Sequence, residues 1–114
     1  MKKITTKNAP AAIGPYSQGI ISGDFVYCSG QIPVNPETGL PAEGGIEAQA
    51  EQSCKNVAAV LEAAGTGMDK VVKTTCFLAD MADFAVFNEV YAKYFVSNLA
   101  RSCVAAKSLP KNVL

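Results

Sequence analysis

The 114-residue chain contains no histidine and no tryptophan. Without imidazole, Ser-His and Cys-His nucleophilic machinery and every metal site that needs histidine are excluded. Charge of either sign is sparse: ten basic and ten acidic residues cancel, and charged residues make up only 18% of the chain. Neither sign clusters, Lys2-Lys3 being the longest basic run, so the electrostatic footprint of a nucleic-acid binder is missing. No run approaches the ~18 apolar residues of a membrane span, and no apolar h-region follows Met1-Lys2-Lys3 to make a secretory signal. The four cysteines, Cys28, Cys54, Cys76 and Cys103, form no C-x-x-C pair that would suggest a zinc ribbon or redox motif. They read as small apolar residues of a reducing compartment. The expectation is a cytoplasmic protein with no metal, no membrane and no nucleic-acid partner.

Apolar residues, by contrast, are plentiful at 49%. Residues 1–114 read as a single domain with a real core, and so few charges make a lean surface for a monomer, which points to an oligomer. A brief first strand lies within Met1 to Thr6. Two prolines and a glycine make Asn8 to Tyr16 a loop. A strand from Gln18 to Ser22 then turns at Gly23-Asp24 into a second, Phe25 to Gln31, and Gly30 at its end permits close approach of a backbone or ligand. The Pro/Gly-rich stretch from Ile32 to Gly45 reads as an ordered irregular loop. From Ile46 the period becomes helical, with Ile46, Ala50, Ser53/Cys54, Val57, Val60/Leu61 and Ala64 on one stripe, Glu51 spaced for Lys55, and Gly65 as the stop.

Val71 to Leu78 has strong β propensity. Asp80 is placed to cap a second helix whose stripe is Phe84, Phe87, Tyr91 and Tyr94/Phe95. Asn88 interrupts that stripe, and a polar group there needs a partner, a neighbouring loop being the plain candidate. The last strand, Leu99 to Val104, carries Arg101 and Cys103 on one face and Ser102 and Val104 on the other. Arg101 admits two readings: an edge-strand residue wetting the sheet end, or an anchor for an anion. Two helices can cover only one face of such a sheet, and the few charges along its strands favour packing of the other face against another copy.

Asn8-Ala9-Pro10, Ile13-Gly14-Pro15-Tyr16-Ser17-Gln18, Ser29-Gly30-Gln31-Ile32-Pro33, Val71-Val72-Lys73-Thr74-Thr75 and Ala100-Arg101-Ser102-Cys103-Val104 stand in order along the chain. Together they resemble the reactive intermediate (enamine/imine) deaminase family, RidA/YjgF. The resemblance implies an α+β, chorismate-mutase-like mixed sheet with two helices on one face, assembled as a homotrimer with clefts between subunits. It implies hydrolysis of 2-enamine and 2-imine acids, such as 2-aminoacrylate and 2-iminobutanoate, to 2-oxo acids and ammonia without a cofactor. It also assigns residues. Arg101 clamps the substrate carboxylate, Cys103 orients the imine nitrogen through its backbone, and Tyr16, Ser29, Gly30 and Asn88 complete the cleft. The resemblance further implies a water-activating glutamate on a final strand, between the third and fourth strands, which residues 1–114 are expected to lack. Leu99 departs from a proline found in many relatives, and the freer backbone is expected to loosen the placement of Arg101. Two other readings are set beside the deaminase: a non-catalytic trimer that binds 2-oxo acids, and a translation inhibitor or endoribonuclease.

Overall fold

A computed structural model describes all residues, Met1–Leu114. Three short strands, β1 (Lys2–Ile4), β2 (Gly19–Ser22) and β3 (Phe25–Cys28), form an antiparallel sheet in the order β1-β2-β3. Helix α1 (Gly45–Ala63) follows, then β4 (Lys73–Leu78), α2 (Phe84–Tyr94) and β5 (Ala100–Ala105). The β4-α2-β5 segment is a crossover unit, and β5 pairs with β4 in parallel, Thr74 opposite Arg101 and Cys76 opposite Cys103. The architecture is the expected α+β with two helices. The strands fall into two sheets, however, with no ladder joining the three-stranded sheet to the two-stranded one.

Helix α1 holds the two halves together. Its Ala50 and Cys54 pack with Leu78 of β4 and with Phe87, Val90, Tyr91 and Phe95 from and beyond α2. Ten residues on, Val60 packs with Ile4, Ala9, Ile21 and Cys28 over the three-stranded sheet. Gly19 lets the helix come this close, because a Cβ there would lie 3.0 Å from Val60 Cγ1. The helix ends as its glycine dictates. With Gly65 at φ +87°, its N–H donates to Glu62 O and that of Thr66 to Leu61 O, at 3.0 and 2.9 Å. Asp80 caps as expected, though the structure it starts is a 3-10 turn, Met81–Asp83, leading into α2; its Oδ1 accepts from Ala82 N at 2.8 Å. Glu51, spaced for Lys55, is engaged by the Tyr94 hydroxyl at 3.1 Å.

Two buried amides that the apolar pattern does not reveal secure the loops. Gln18 Oε1 accepts from Thr6 N, and its Nε2 donates to the carbonyls of Thr6, Ala9 and Pro10. Asn56, wholly buried, donates from Nδ2 to Ile32 O and Val34 O and accepts from Gln52 Nε2. The Ile32 to Gly45 loop is ordered as expected, with a Val34–Pro41 bridge closed around an Asn35 turn.

All four cysteines are free thiols. Burial raises the Cys28 pKa from its ordinary 9.0 to about 11 and that of Cys54 to about 12. An unfolded chain would release these protons near pH 9 while the folded chain keeps them, so stability present below pH 9 is lost as pH rises through 11 to 12. Melting temperatures measured across that range should fall, and Cys54→Ala should flatten the alkaline limb. An unchanged limb would mean that Cys54 titrates alike in both states.

Candidate functional site

The alternation of β5 turns Arg101 and Cys103 inward, beneath α2, and leaves Ser102 and Val104 on the outer face. Arg101 therefore does not wet the sheet end. Its Nη1 donates to Asn88 Oδ1 at 2.6 Å, and its Cζ lies 4.8 Å from the Tyr91 ring centroid and 5.4 Å from that of Phe84. Phe84, Asn88 and Tyr91 are successive turns of one helical stripe, so α2 presents ring, amide and ring to one guanidinium. The partner of Asn88 is thus a side chain of the site and not a loop.

Asn88 Oδ1 is an uncharged acceptor, and Arg101 makes no other side-chain hydrogen bond. The guanidinium keeps donors free, and no carboxylate of the chain is hydrogen-bonded to it. A half-buried cation held this way is suited to a planar anion, for which the guanidinium fork offers two parallel charge-assisted bonds. Cys103 lies two residues along the same face, half-buried and packed against the main core. Leu99, too, packs against that core, so side-chain burial holds the entry to β5 that proline would otherwise stiffen.

Tyr16 and Ser29 lie in the other half of the molecule. They share a cavity of about 780 Å³ whose lining also includes Lys3, Ile20 and Tyr27, a cross-strand row on the face of the three-stranded sheet turned away from α1. Ser29 Oγ donates to Ser17 O at 2.5 Å, fixing the β3 exit against the Tyr16 loop. The Tyr16 ring is half-exposed and rests on Gly14. Gly30 meets nothing within 4 Å of where a Cβ would sit, so no part of this chain makes the close approach that its position suggests. Arg101, Asn88 and Cys103 are absent from the lining of that cavity. One chain therefore carries the expected residues as two separate groups.

The outer faces of both sheets expose large apolar residues: Phe25 and Tyr27 on β3, Phe77 on β4 and Val104 on β5. No helix of the structure is long and apolar enough to cross a membrane. Sequence reasoning missed Phe84 and Tyr91 as neighbours of the guanidinium, having assigned both to core. The available signal was their spacing of three and four residues from Asn88.

A family profile described as Endoribonuclease L-PSP matches residues 6–114. The chain is 52% identical over 116 residues to the 2-iminobutanoate/2-iminopropanoate deaminase of Salmonella typhimurium, covering 98% of this chain and 90% of that protein. The crystal structure of the YjgF gene product of E. coli superposes with a TM-score of 0.93 at 49% identity, covering 99% of this chain and 91% of that one. E. coli TdcF with bound serine gives 0.92 at 46% identity, over 99% and 91%. A profile match over nearly the whole sequence, relatives about half identical and the shared fold place this chain in the endoribonuclease L-PSP family, the RidA/YjgF family that its motifs resemble.

Proposed function

We propose that this chain binds small 2-imine and 2-enamine acids by their carboxylate and acts in their hydrolysis to 2-oxo acids and ammonia. The observation that carries the reading is Arg101: a half-buried guanidinium oriented by Asn88 and two rings, with no carboxylate of the chain bonded to it. The deaminase name of the Salmonella relative and the serine bound to TdcF, an amino acid with a free carboxylate, support the same substrate class. In the reaction water adds to the imine carbon, the carbon–nitrogen bond breaks, and the nitrogen leaves as ammonia while a carbonyl forms. Imines hydrolyse readily in water, so positioning and one activated water suffice. Arg101 holds the carboxylate, and the Cys103 backbone orients the nitrogen.

Tyr16, Ser29 and Gly30 complete the cleft from a second copy in a homotrimer. The exposed apolar faces of the two sheets are what such packing would cover. Phe77, 56% exposed, can be changed with little effect on the isolated chain. Phe77→Lys should therefore reduce a native mass of three chains to one while leaving the far-ultraviolet circular dichroism of the folded chain unchanged, with a lower melting temperature as the stabilisation from association is lost. A trimer indifferent to this change would place the interface elsewhere.

The deaminase reading is tested by following 2-iminobutanoate generated in situ by a pyridoxal-phosphate-dependent dehydratase. Its decay to 2-oxobutanoate should accelerate with added protein. One observation favours a second reading, a 2-oxo acid binder without turnover: no acidic side chain lines the cavity, and the hydrogen-bond and ring partners of Arg101 are Asn88, Phe84 and Tyr91. Saturable 2-oxobutanoate binding with an unchanged imine decay rate would select that reading. Cleavage of RNA at a rate matching neither would select the activity named in the family description.

A further inference from the structure

We propose that Tyr91, fastened by Thr74, is a positioning residue that sets the plane of the Arg101 guanidinium and so the direction from which a carboxylate must approach. The proposal rests on the reading of Arg101 as the carboxylate anchor. The Tyr91 ring faces the guanidinium at 4.8 Å, and its hydroxyl lies 2.6 Å from Thr74 Oγ1. Thr74 is the residue opposite Arg101 in the β4–β5 register. The ring is thus gripped by the strand neighbour of the very residue it supports.

Its other contacts leave it little freedom. Phe95 stacks on Tyr91 at 4.5 Å between centroids, Phe87 packs at 5.7 Å, and the tyrosine is only 9% exposed. Burial also raises the Tyr91 pKa, so the phenol remains a neutral hydroxyl. The bond to Asn88 alone would fix one nitrogen of Arg101 and leave the plane free to tilt about it. A ring held at its hydroxyl removes that tilt. Because both bonds of a carboxylate fork lie in the guanidinium plane, fixing the plane fixes the approach. A phenylalanine would fill the same core volume, and the hydroxyl adds only the link to Thr74. That link distinguishes positioning from packing.

The test is calorimetric titration of the full chain with 2-oxobutanoate. Tyr91→Leu should weaken binding about tenfold, because the cation–π contact is lost. Tyr91→Phe keeps the ring but frees it from Thr74 and should weaken binding about fivefold, and Thr74→Val should match it. The double variant Tyr91→Phe/Thr74→Val should bind no worse than either single one, since all three lack the same hydrogen bond. In NMR spectra the Arg101 side-chain N–H resonances should lose the Tyr91 part of their ring-current shift in Tyr91→Leu, with the Phe84 part remaining, and keep both parts in Tyr91→Phe. Wild-type affinity in Tyr91→Phe and Thr74→Val, with binding weakened about a hundredfold in Arg101→Ala, would overturn the positioning role and leave the anchor standing. Wild-type affinity in Arg101→Ala would overturn the anchor itself.

Discussion

Arg101→Ala should weaken 2-oxobutanoate binding by about a hundredfold, the effect of losing a bidentate charge-assisted pair in a half-buried site. The melting temperature should change little, because the arginine is bonded only to Asn88 and lies over two rings that the core holds independently. Arg101→Lys keeps the charge but replaces the planar fork with a point charge. It also loses the face that stacks on Phe84 and Tyr91, so most of the binding should go with it. Asn88→Ala should be milder, about tenfold, because one neutral acceptor is removed while the charge remains. Imine turnover, where measured, should follow the same order. Equal affinity for Arg101→Lys and wild type would reduce the site to a general positive potential and remove the argument from geometry.

Asn56→Ala should be the most destabilising single substitution of a polar residue, at about 3 kcal/mol. The amide is fully buried, and its removal strands Val34 O and Gln52 Nε2 and takes from Ile32 O one of its two donors, the other being Val34 N. For a domain of this size that loss corresponds to a fall of roughly 10 °C in melting temperature. Asn56→Asp is nearly isosteric but sets an oxygen where the amide donates to two carbonyls, so it should be worse than alanine at neutral pH. The Ile32 to Gly45 loop begins just after Ser29-Gly30. Amide exchange should therefore quicken through this loop first, and ligand affinity should fall with it. A melting temperature within 2 °C of wild type, on the order of half a kcal/mol, would mean that water replaces the amide.

Much of this was legible in the residues. The helices declared themselves by the Ile46 to Ala64 and Phe84 to Phe95 stripes, and Gly65 and Asp80 marked a stop and a start. The face shared by Arg101 and Cys103 followed from strand alternation alone. What periodicity could not supply was the partner of each polar residue. Asn88 was visible as an amide on an apolar stripe, but only the parallel docking of β5 under α2 brings the arginine to it. Asn56 escaped notice because it sits beside the main α1 stripe, on the turn between Gln52 and Val60, where the covering loop makes it interior. The division of the strands into two sheets was equally hidden, since propensity marks strands and not their neighbours. Tyr16 and Ser29 lie on one sheet's outer face and Arg101 on the other's inner face, which is why the proposed cleft takes its two groups of residues from two copies.

That central claim has a direct measurement. Arg101→Ala chains and Tyr16→Ala/Ser29→Ala chains, each binding 2-oxobutanoate too weakly alone to register at concentrations that saturate the wild type, are unfolded together, refolded at equal concentration and titrated. If each cleft takes Arg101 from one copy and Tyr16 with Ser29 from the next, random assembly leaves about a quarter of the clefts intact, and binding should return at wild-type affinity with that stoichiometry. A mixture as inert as its parents, despite confirmed mixed trimers, would contradict a site built across two copies.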